Sequence, residues 1–187
     1  MARCDTLEQY TDAINDASLD RYFSKYWEND IKKWKYSGLA LVDEVNSLRP
    51  RAVLDVGCGY NEFKGKIDNL IGIDPYNDKA DIQVSTLEYR TTQKFDVMLC
   101  LGSVNFGSRD KIISEVGRCV DLLEDGGTMF FRVNPGVQHN KPEAKWIEFF
   151  AWNVPFIIEL SEIFNLKVLD IRDDSNQRKY FIYRKVK

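Results

Sequence analysis

The sequence predicts an α/β protein with a doubly wound, mostly parallel sheet of seven strands, helices on both faces and an antiparallel C-terminal hairpin. Two observations support this prediction. Short apolar runs alternate with segments of helical periodicity, which is typical of parallel sheets covered by helices. The last two apolar runs are joined by too few residues for a crossover helix, so we expect them to pair antiparallel.

The predicted strands are short and are separated by turn or helix signals. The third is expected to be a trimmed strand at the sheet edge, because residues 75–80 leave no room for a crossover helix. A short helix, interrupted by Gly65, is expected between the first two strands. In chain order, the seven strands cover residues 52–56, 70–74, 81–84, 95–101, 128–133, 166–171 and 180–186.

The helical segments divide the chain into a cap and a main domain. Residues 7–35 carry an aromatic stripe at spacings of three and four, and residues 1–36 are predicted to form a helical cap or lid. Packing of this stripe against the domain is the alternative interpretation. Residues 37–187 form the predicted main domain, with a substrate-side insertion at 134–153. Helix boundaries are indicated by Pro50, Ser108, the pair Gly126 and Gly127, Pro142, Asn153 and Pro155.

A glycine-rich turn and a strand-end acid indicate a nucleoside site. Residues 53–59 read VLDVGCG, and Gly57 and Gly59 allow a sharp turn that presents bare amides to a ligand. Residues 70–74 read LIGID, so Asp74 ends the neighbouring strand, where a carboxylate suits the two hydroxyls of a ribose. In a dinucleotide motif, a third glycine would stand where Glu62 stands, which disfavours a diphosphate. An adenosine ligand without a phosphate fits these residues, and a nicotinamide-dependent enzyme is a rival reading.

The VLDVGCG…GID pattern resembles the Rossmann-like class I S-adenosylmethionine-dependent methyltransferases. The order of the later elements also resembles that family: a strand that opens with Phe95 and Asp96, the LEDGG turn and the C-terminal hairpin. The likeness spans about residues 37–187. Asn61 replaces a third, closely spaced glycine of the family pattern, and Asn tolerates left-handed backbone geometry. Ser85 stands where the family often has an acid.

The resemblance implies S-adenosylmethionine as the cofactor and S-adenosylhomocysteine as its product. It implies that Gly57 and Gly59 line the amino-acid end of the donor, that Asp55 helps to order their turn and that Asp74 binds the ribose. The turns at 85–87 and 101–103 would flank the adenosine and the methyl group. The implied donor-binding residues are Asp55, Gly57, Cys58, Gly59, Asp74, Pro75, Ser85, Thr86, Leu87, Leu101, Gly102 and Ser103.

Four residues are candidates for the chemistry of the acceptor. Asn105 follows the fourth strand, at the point where the resemblance places the methyl group. His139 is the only histidine, and its ordinary pKa suits a general base, although a lone loop histidine is more often solvated. Tyr26 and Glu28 are further candidates. From the aromatic stripe, the candidates for a lid over the donor are Tyr22, Tyr26 and Trp34.

The expected activity is methyl transfer to a small molecule by in-line displacement, with a nucleic acid or protein acceptor not excluded. An inactive protein that binds S-adenosylmethionine or S-adenosylhomocysteine is the alternative. The net charge of −3 and the scattered cysteines indicate neither a nucleic-acid-binding domain nor a metal site or disulfide framework. No segment is apolar enough for a signal peptide or membrane span, which predicts a cytoplasmic protein. The basic runs at 32–35 and 178–187 are interpreted as solvated faces.

Overall fold

A six-stranded mixed sheet forms the centre of the protein. The computed structural model describes residues 7–27, 38–138, 141–174 and 177–187. Strands β1 to β4 run parallel, and β6 pairs antiparallel with both β4 and β5. The mixed sheet and its C-terminal hairpin are therefore confirmed. In the order β2-β1-β3-β4-β6-β5, the strands are β1 (Val53–Val56), β2 (Leu70–Ile73), β3 (Phe95–Leu101), β4 (Leu123–Val133), β5 (Leu166–Asp173) and β6 (Lys179–Lys185).

The predicted count of seven strands was wrong, because the segment at 81–84 forms only one parallel bridge, between Ile73 and Ile82. The carboxylate of Asp81 accepts the backbone amide of Gly72 at 2.8 Å and so takes the place of a ladder partner. This edge of the sheet is trimmed, as expected.

The short helix expected after β1 is also absent, since the described chain from 57 to 69 consists of turns and isolated bridges. Asn61 and Gly65 have φ angles of 55° and 75°, and such left-handed residues interrupt a helical hydrogen-bond series. The prediction that Asn61 would accept left-handed geometry is confirmed.

Helices cover both faces of the sheet. The side chains of α2 pack on one face, and those of α3 and α4 pack on the other. Helix α3 begins at its predicted cap, because the Ser108 hydroxyl accepts the Lys111 amide, and Asn153 caps α4 in the same way. The predicted end of α3 at Gly126 was wrong, since the chain passes directly into β4 at Leu123, which pairs with Phe95. The helices are α1 (Leu7–Lys25), α2 (Leu41–Ser47), α3 (Arg109–Leu122) and α4 (Val154–Ile163), with a 3-10 turn at Pro142–Ala144.

Helix α1 packs on the inserted segment that follows β4. Leu19 and Tyr22 form a small apolar cluster with Ala144 and Ile147. The Asn15 side chain exchanges two hydrogen bonds with the backbone of the same segment, at 3.0 and 3.3 Å. In the part of the chain that the structure describes, no helix is both long and apolar enough to cross a membrane.

Candidate functional site

A cavity of about 680 Å³ opens at the carboxyl ends of β1, β2 and β3. Ligands of open α/β sheets bind at this edge, because the turns that follow parallel strands meet there. Residues of α1 and Phe149 of the inserted segment also line the cavity, so its walls come from both the sheet and the cap.

All of the implied donor-binding residues line this one cavity. They come from four separate segments of the chain, and the parallel pairing of β2, β1 and β3 brings three of those segments side by side. The lining includes Asp55, Gly57, Cys58, Gly59, Asp74, Pro75, Ser85, Thr86, Leu87, Leu101, Gly102 and Ser103.

The turn after β1 requires glycine at two positions. Gly57 and Gly59 have φ angles of 68° and 53°, in the left-handed region. A Cβ atom on Gly57 would lie 2.3 Å from the Cβ of Ser103, and one on Gly59 would lie 2.5 Å from the Trp27 ring. The glycines thus allow the β1 turn, the β3 turn and α1 to approach one another closely.

The amides of this turn are not bare, contrary to the expectation from sequence. The Gly57 and Cys58 amides donate to the carbonyl of Ile73, at 2.8 and 3.0 Å. The Gly59 amide donates to the Asp74 carboxylate at 3.0 Å. The protein itself therefore satisfies these backbone donors without a ligand.

Asp74 is buried and connects two turns. Its second carboxylate oxygen accepts the amides of Tyr76 and Asn77, at 2.8 and 2.9 Å. Sequence analysis assigned the ordering of the glycine turn to Asp55, whereas the bond from Gly59 shows that Asp74 contributes to it. A carboxylate offers about four acceptor positions, so three backbone bonds leave one for a ligand.

Asp55 lies beside Asp74 and is only 3% exposed. Burial, together with repulsion from the Asp74 carboxylate, raises the pKa of Asp55 to about 7. A cation bound in this part of the cavity would favour the ionised form of Asp55. Burial also raises the pKa of the Cys58 thiol well above its usual range, so Cys58 is not a reactive nucleophile.

The predicted adenosine-flanking turn at 85–87 is closed by a side-chain hydrogen bond. The Ser85 hydroxyl donates to the Glu88 carboxylate at 2.6 Å.

Two residues that were not predicted from the sequence, Tyr76 and Glu115, also line the cavity. Burial raises the pKa of Glu115 to about 8, although the nearby Lys111 ammonium opposes the shift. The periodicity of α3 predicts which residues form its apolar face, and it does not indicate that Glu115 lines a cavity.

The candidates for acceptor chemistry have different positions. Asn105 is buried at the cavity, and its side-chain carbonyl accepts the Asn134 amide at 2.8 Å, which joins the ends of β3 and β4. Tyr26 is 45% exposed and does not line the cavity, because the phase of α1 turns Tyr22, Phe23 and Trp27 towards it instead. The other candidates, His139, Glu28 and Trp34, lie outside the described residues.

A basic end of the cavity was also missed by sequence analysis. Arg132 of β4 and Arg178, just before β6, line it together with Lys141. Arg132 donates to the Asp174 carboxylate at 2.5 Å, and both side chains are buried. The interpretation of the 178–187 run as a solvated face was wrong for Arg178, which the hairpin directs into the cavity.

Several solved structures of similar fold are methyltransferases. A Burkholderia thailandensis 1,6-didemethyltoxoflavin-N1-methyltransferase, with 1,6-didemethyltoxoflavin and S-adenosylhomocysteine bound, has a TM-score of 0.70 at 14% identity over 100% of this chain and 93% of its own. The N-methyltransferase NodS of Bradyrhizobium japonicum WM9, in complex with S-adenosylhomocysteine, has a TM-score of 0.63 at 14% identity over 95% and 99%.

A magnesium protoporphyrin IX methyltransferase of Synechocystis PCC 6803, with S-adenosylmethionine bound, has a TM-score of 0.59 at 11% identity over 99% of both chains. No family model and no curated protein sequence matches the chain. At these identities the likeness concerns the fold. This chain has the Rossmann-like α/β fold of the class I S-adenosylmethionine-dependent methyltransferases.

Proposed function

We propose that the protein is an S-adenosylmethionine-dependent methyltransferase that acts on a small-molecule acceptor. The observation that carries the proposal is that residues from 55–59, 74–75, 85–87 and 101–103 line a single cavity. Its volume of about 680 Å³ falls within the range of roughly 300–1,000 Å³ that is usual for small-molecule sites. The similar structures with S-adenosylhomocysteine or S-adenosylmethionine bound support the same donor here.

The polar groups of the cavity fit this donor. Asp55 and Asp74 form an acidic pair, which suits an α-ammonium group and the ribose hydroxyls. The Ser103 hydroxyl is buried and has no hydrogen-bond partner among the described residues. Gly102 has a φ angle of 107° and open space where a Cβ would lie, so the backbone after β3 lets a ligand approach closely.

Bound S-adenosylmethionine would supply an already activated methyl group on its sulfonium. The protein then has to hold donor and acceptor in line and exclude water, which can lower a barrier by roughly 7–11 kcal/mol. We assign donor positioning to the turns at 57–59 and 101–103. The cap, with Phe23 and Trp27 over the cavity, excludes water in this proposal.

The acceptor side of the proposal rests on Asn105. This residue lies at the cavity edge between β3 and β4, where it can position the acceptor atom beside the methyl group. If the acceptor atom carries a proton that must leave, His139 is our candidate base. The enclosure of the cavity by α1 and Phe149 favours a small acceptor over a macromolecule.

Calorimetric titration with S-adenosylhomocysteine tests the donor assignment. We expect Asp74→Ala to weaken binding by about 1–3 kcal/mol, the usual cost of losing hydrogen bonds to a charged group. Asp78→Ala is the matched control, since the Asp78 side chain is 80% exposed and lies only four residues away. NAD should not bind the wild type. Equal affinities of the two variants, or tighter binding of NAD, would contradict the proposal.

A further inference from the structure

The basic end of the cavity lies on the opposite side of β3 from β1 and β2. Arg132 occupies β4 opposite Leu101 of β3 and Tyr180 of β6. Strand β4 is separated from β1 by β3, so its backbone lies about 10 Å from that of β1. Arg132 is a neighbour of Leu101 but is two strands from Asp55, and we assign it, with Arg178, to the end of the cavity that would receive the acceptor.

The positive charge at this end is only partly balanced. Asp174 pairs with Arg132, and the Asp174 amide donates to the Arg178 carbonyl at 2.7 Å, which fixes the backbone before β6. Among the described residues, Arg178 forms no ion pair, and its buried Nη1 has no hydrogen-bond partner. Burial, together with repulsion from Arg132, lowers the pKa of Arg178 to about 10. An unpaired cation in such surroundings is costly, so its partner is expected to be a ligand.

An aromatic wall adjoins Arg178. Its guanidinium carbon lies 5.9 Å from the centroid of the Phe149 ring. Phe149 contacts Phe106 at a centroid distance of 5.1 Å, and Phe106 contacts Phe23 at 5.6 Å. All three rings line the cavity. A flat apolar body would pack against these rings with any attached charge directed towards the arginine.

We infer that the acceptor is a planar, largely apolar molecule with an anionic carboxylate or phosphate group, and that Arg178 binds this anion. A guanidinium presents two parallel N–H donors to either anion, which makes the contact strong and oriented. The inference rests on the proposed function for its assignment to the acceptor. It adds the chemical class of the substrate and the residue that selects it.

Three simple probes test this site on the protein saturated with S-adenosylhomocysteine. Benzoate and phenyl phosphate present a ring with each anion, and benzamide is the neutral match of benzoate. By calorimetry, we expect at least one of the two anions to bind tenfold or more tightly than benzamide. The preferred anion identifies carboxylate or phosphate as the group that the site selects.

Variants of Arg178 show whether this residue is responsible. Arg178→Gln should weaken binding of the preferred anion at least tenfold, and Arg178→Lys should restore part of it. Arg184→Gln, an exposed change in β6, should leave it unaffected. S-adenosylhomocysteine should bind Arg178→Gln with wild-type affinity, which also shows that the variant is folded.

Several results would overturn the inference. Equal binding of benzamide and both anions, or no anion binding, excludes an anion site. Weaker S-adenosylhomocysteine binding by folded Arg178→Gln assigns the arginine to the donor carboxylate instead. If the wild type fails to bind S-adenosylhomocysteine, the proposed function fails, and the same anion titrations on the protein alone still test Arg178.

Discussion

The proposed donor half of the cavity, at the turns after β1 and β2, and the proposed acceptor half, at Asn105, Arg132 and Arg178, are built in different ways. In the donor half, the backbone amides around Gly57, Gly59 and Asp74 are already paired within the protein, and the charges are acidic. In the acceptor half, Arg178 lacks an ion-pair partner among the described residues. In our proposal, the first half is already formed without a ligand, whereas the second selects the acceptor.

The largest expected effect tests the preformed donor half. In Gly57→Ala, the new Cβ would lie 2.3 Å from the Cβ of Ser103, at a φ angle of 68°. The turns after β1 and β3 must then separate. We expect S-adenosylhomocysteine affinity to fall by about 3 kcal/mol, or ~100-fold, when measured by calorimetry.

Gly65→Ala is the matched control for Gly57→Ala. Gly65 also has a positive φ angle, of 75°, but a Cβ there meets nothing within 4 Å. It should cost only about 1 kcal/mol of stability and leave S-adenosylhomocysteine affinity unchanged. Similar losses of affinity in both variants would show that backbone strain, rather than close approach at the cavity, is responsible.

The next largest effect is the pH dependence of stability that arises from Asp55 in the proposed donor half. The pKa of Asp55 rises from 3.8 to about 7 on folding. Between these two pH values, Asp55 is protonated in the folded protein and ionised in the unfolded chain. The free energy of unfolding should therefore fall as pH rises across this window, by roughly 1.4 kcal/mol per pH unit at most. In urea unfolding measured from pH 4.5 to 7.5, Asp55→Asn should reduce this dependence, and the part due to Glu115, whose pKa is raised to about 8, should remain.

Asp43→Asn, at an exposed position on α2, is the control for the Asp55 variant. It should retain the wild-type pH dependence. A pH profile that is the same for wild type and Asp55→Asn would show that Asp55 is ionised throughout, and that the acidic pair is not protonated in the free protein.

The smallest effect tests how the cap closes over the cavity. The Asp12 carboxylate of α1 accepts both the amide and the hydroxyl of Ser108, at 2.7 and 2.8 Å, at the start of α3. Asp12→Ala should lower the free energy of unfolding by about 1 kcal/mol. It should also speed S-adenosylhomocysteine dissociation about fivefold in stopped-flow measurements, a factor equivalent to ~1 kcal/mol.

Asp20→Ala, an exposed change on the same helix, provides the comparison for Asp12→Ala. We expect the wild-type dissociation rate in this variant. If Asp12→Ala loses stability and the dissociation rate stays at the wild-type value, α1 supports the fold without controlling entry to the donor half.

The grouping of the donor candidates in one cavity was predictable because its constraints are local in sequence. Gly57 and Gly59 follow an apolar strand directly, and Asp74 ends the next one, so a parallel pairing rule is enough to bring them together. The same reasoning wrongly predicted that the amides of the glycine turn are bare and that a short helix follows Gly59. The bond from Gly59 to Asp74 and the left-handed Asn61 depend on the three-dimensional path of the turn.

The acceptor half was not predictable, because its residues meet only through long-range pairing. Arg132 and Arg178 are 46 positions apart in the chain and are brought together by the antiparallel register of β4 and β6. In the sequence, Arg178 begins a basic run without an apolar pattern that marks it as buried. The sequence also placed Tyr26 at the site, and the structure does not, because the aromatic stripe does not reveal which face of the helix meets the cavity.

A crystal structure of the complex with S-adenosylhomocysteine tests the division of the cavity most directly. We predict ribose hydroxyls within hydrogen-bonding distance of Asp74, the thioether sulfur beside 101–103, and open space between Asn105 and Arg178. A ligand whose carboxylate lies on Arg178, or whose ribose lies away from Asp74, would contradict the assignment of the two halves.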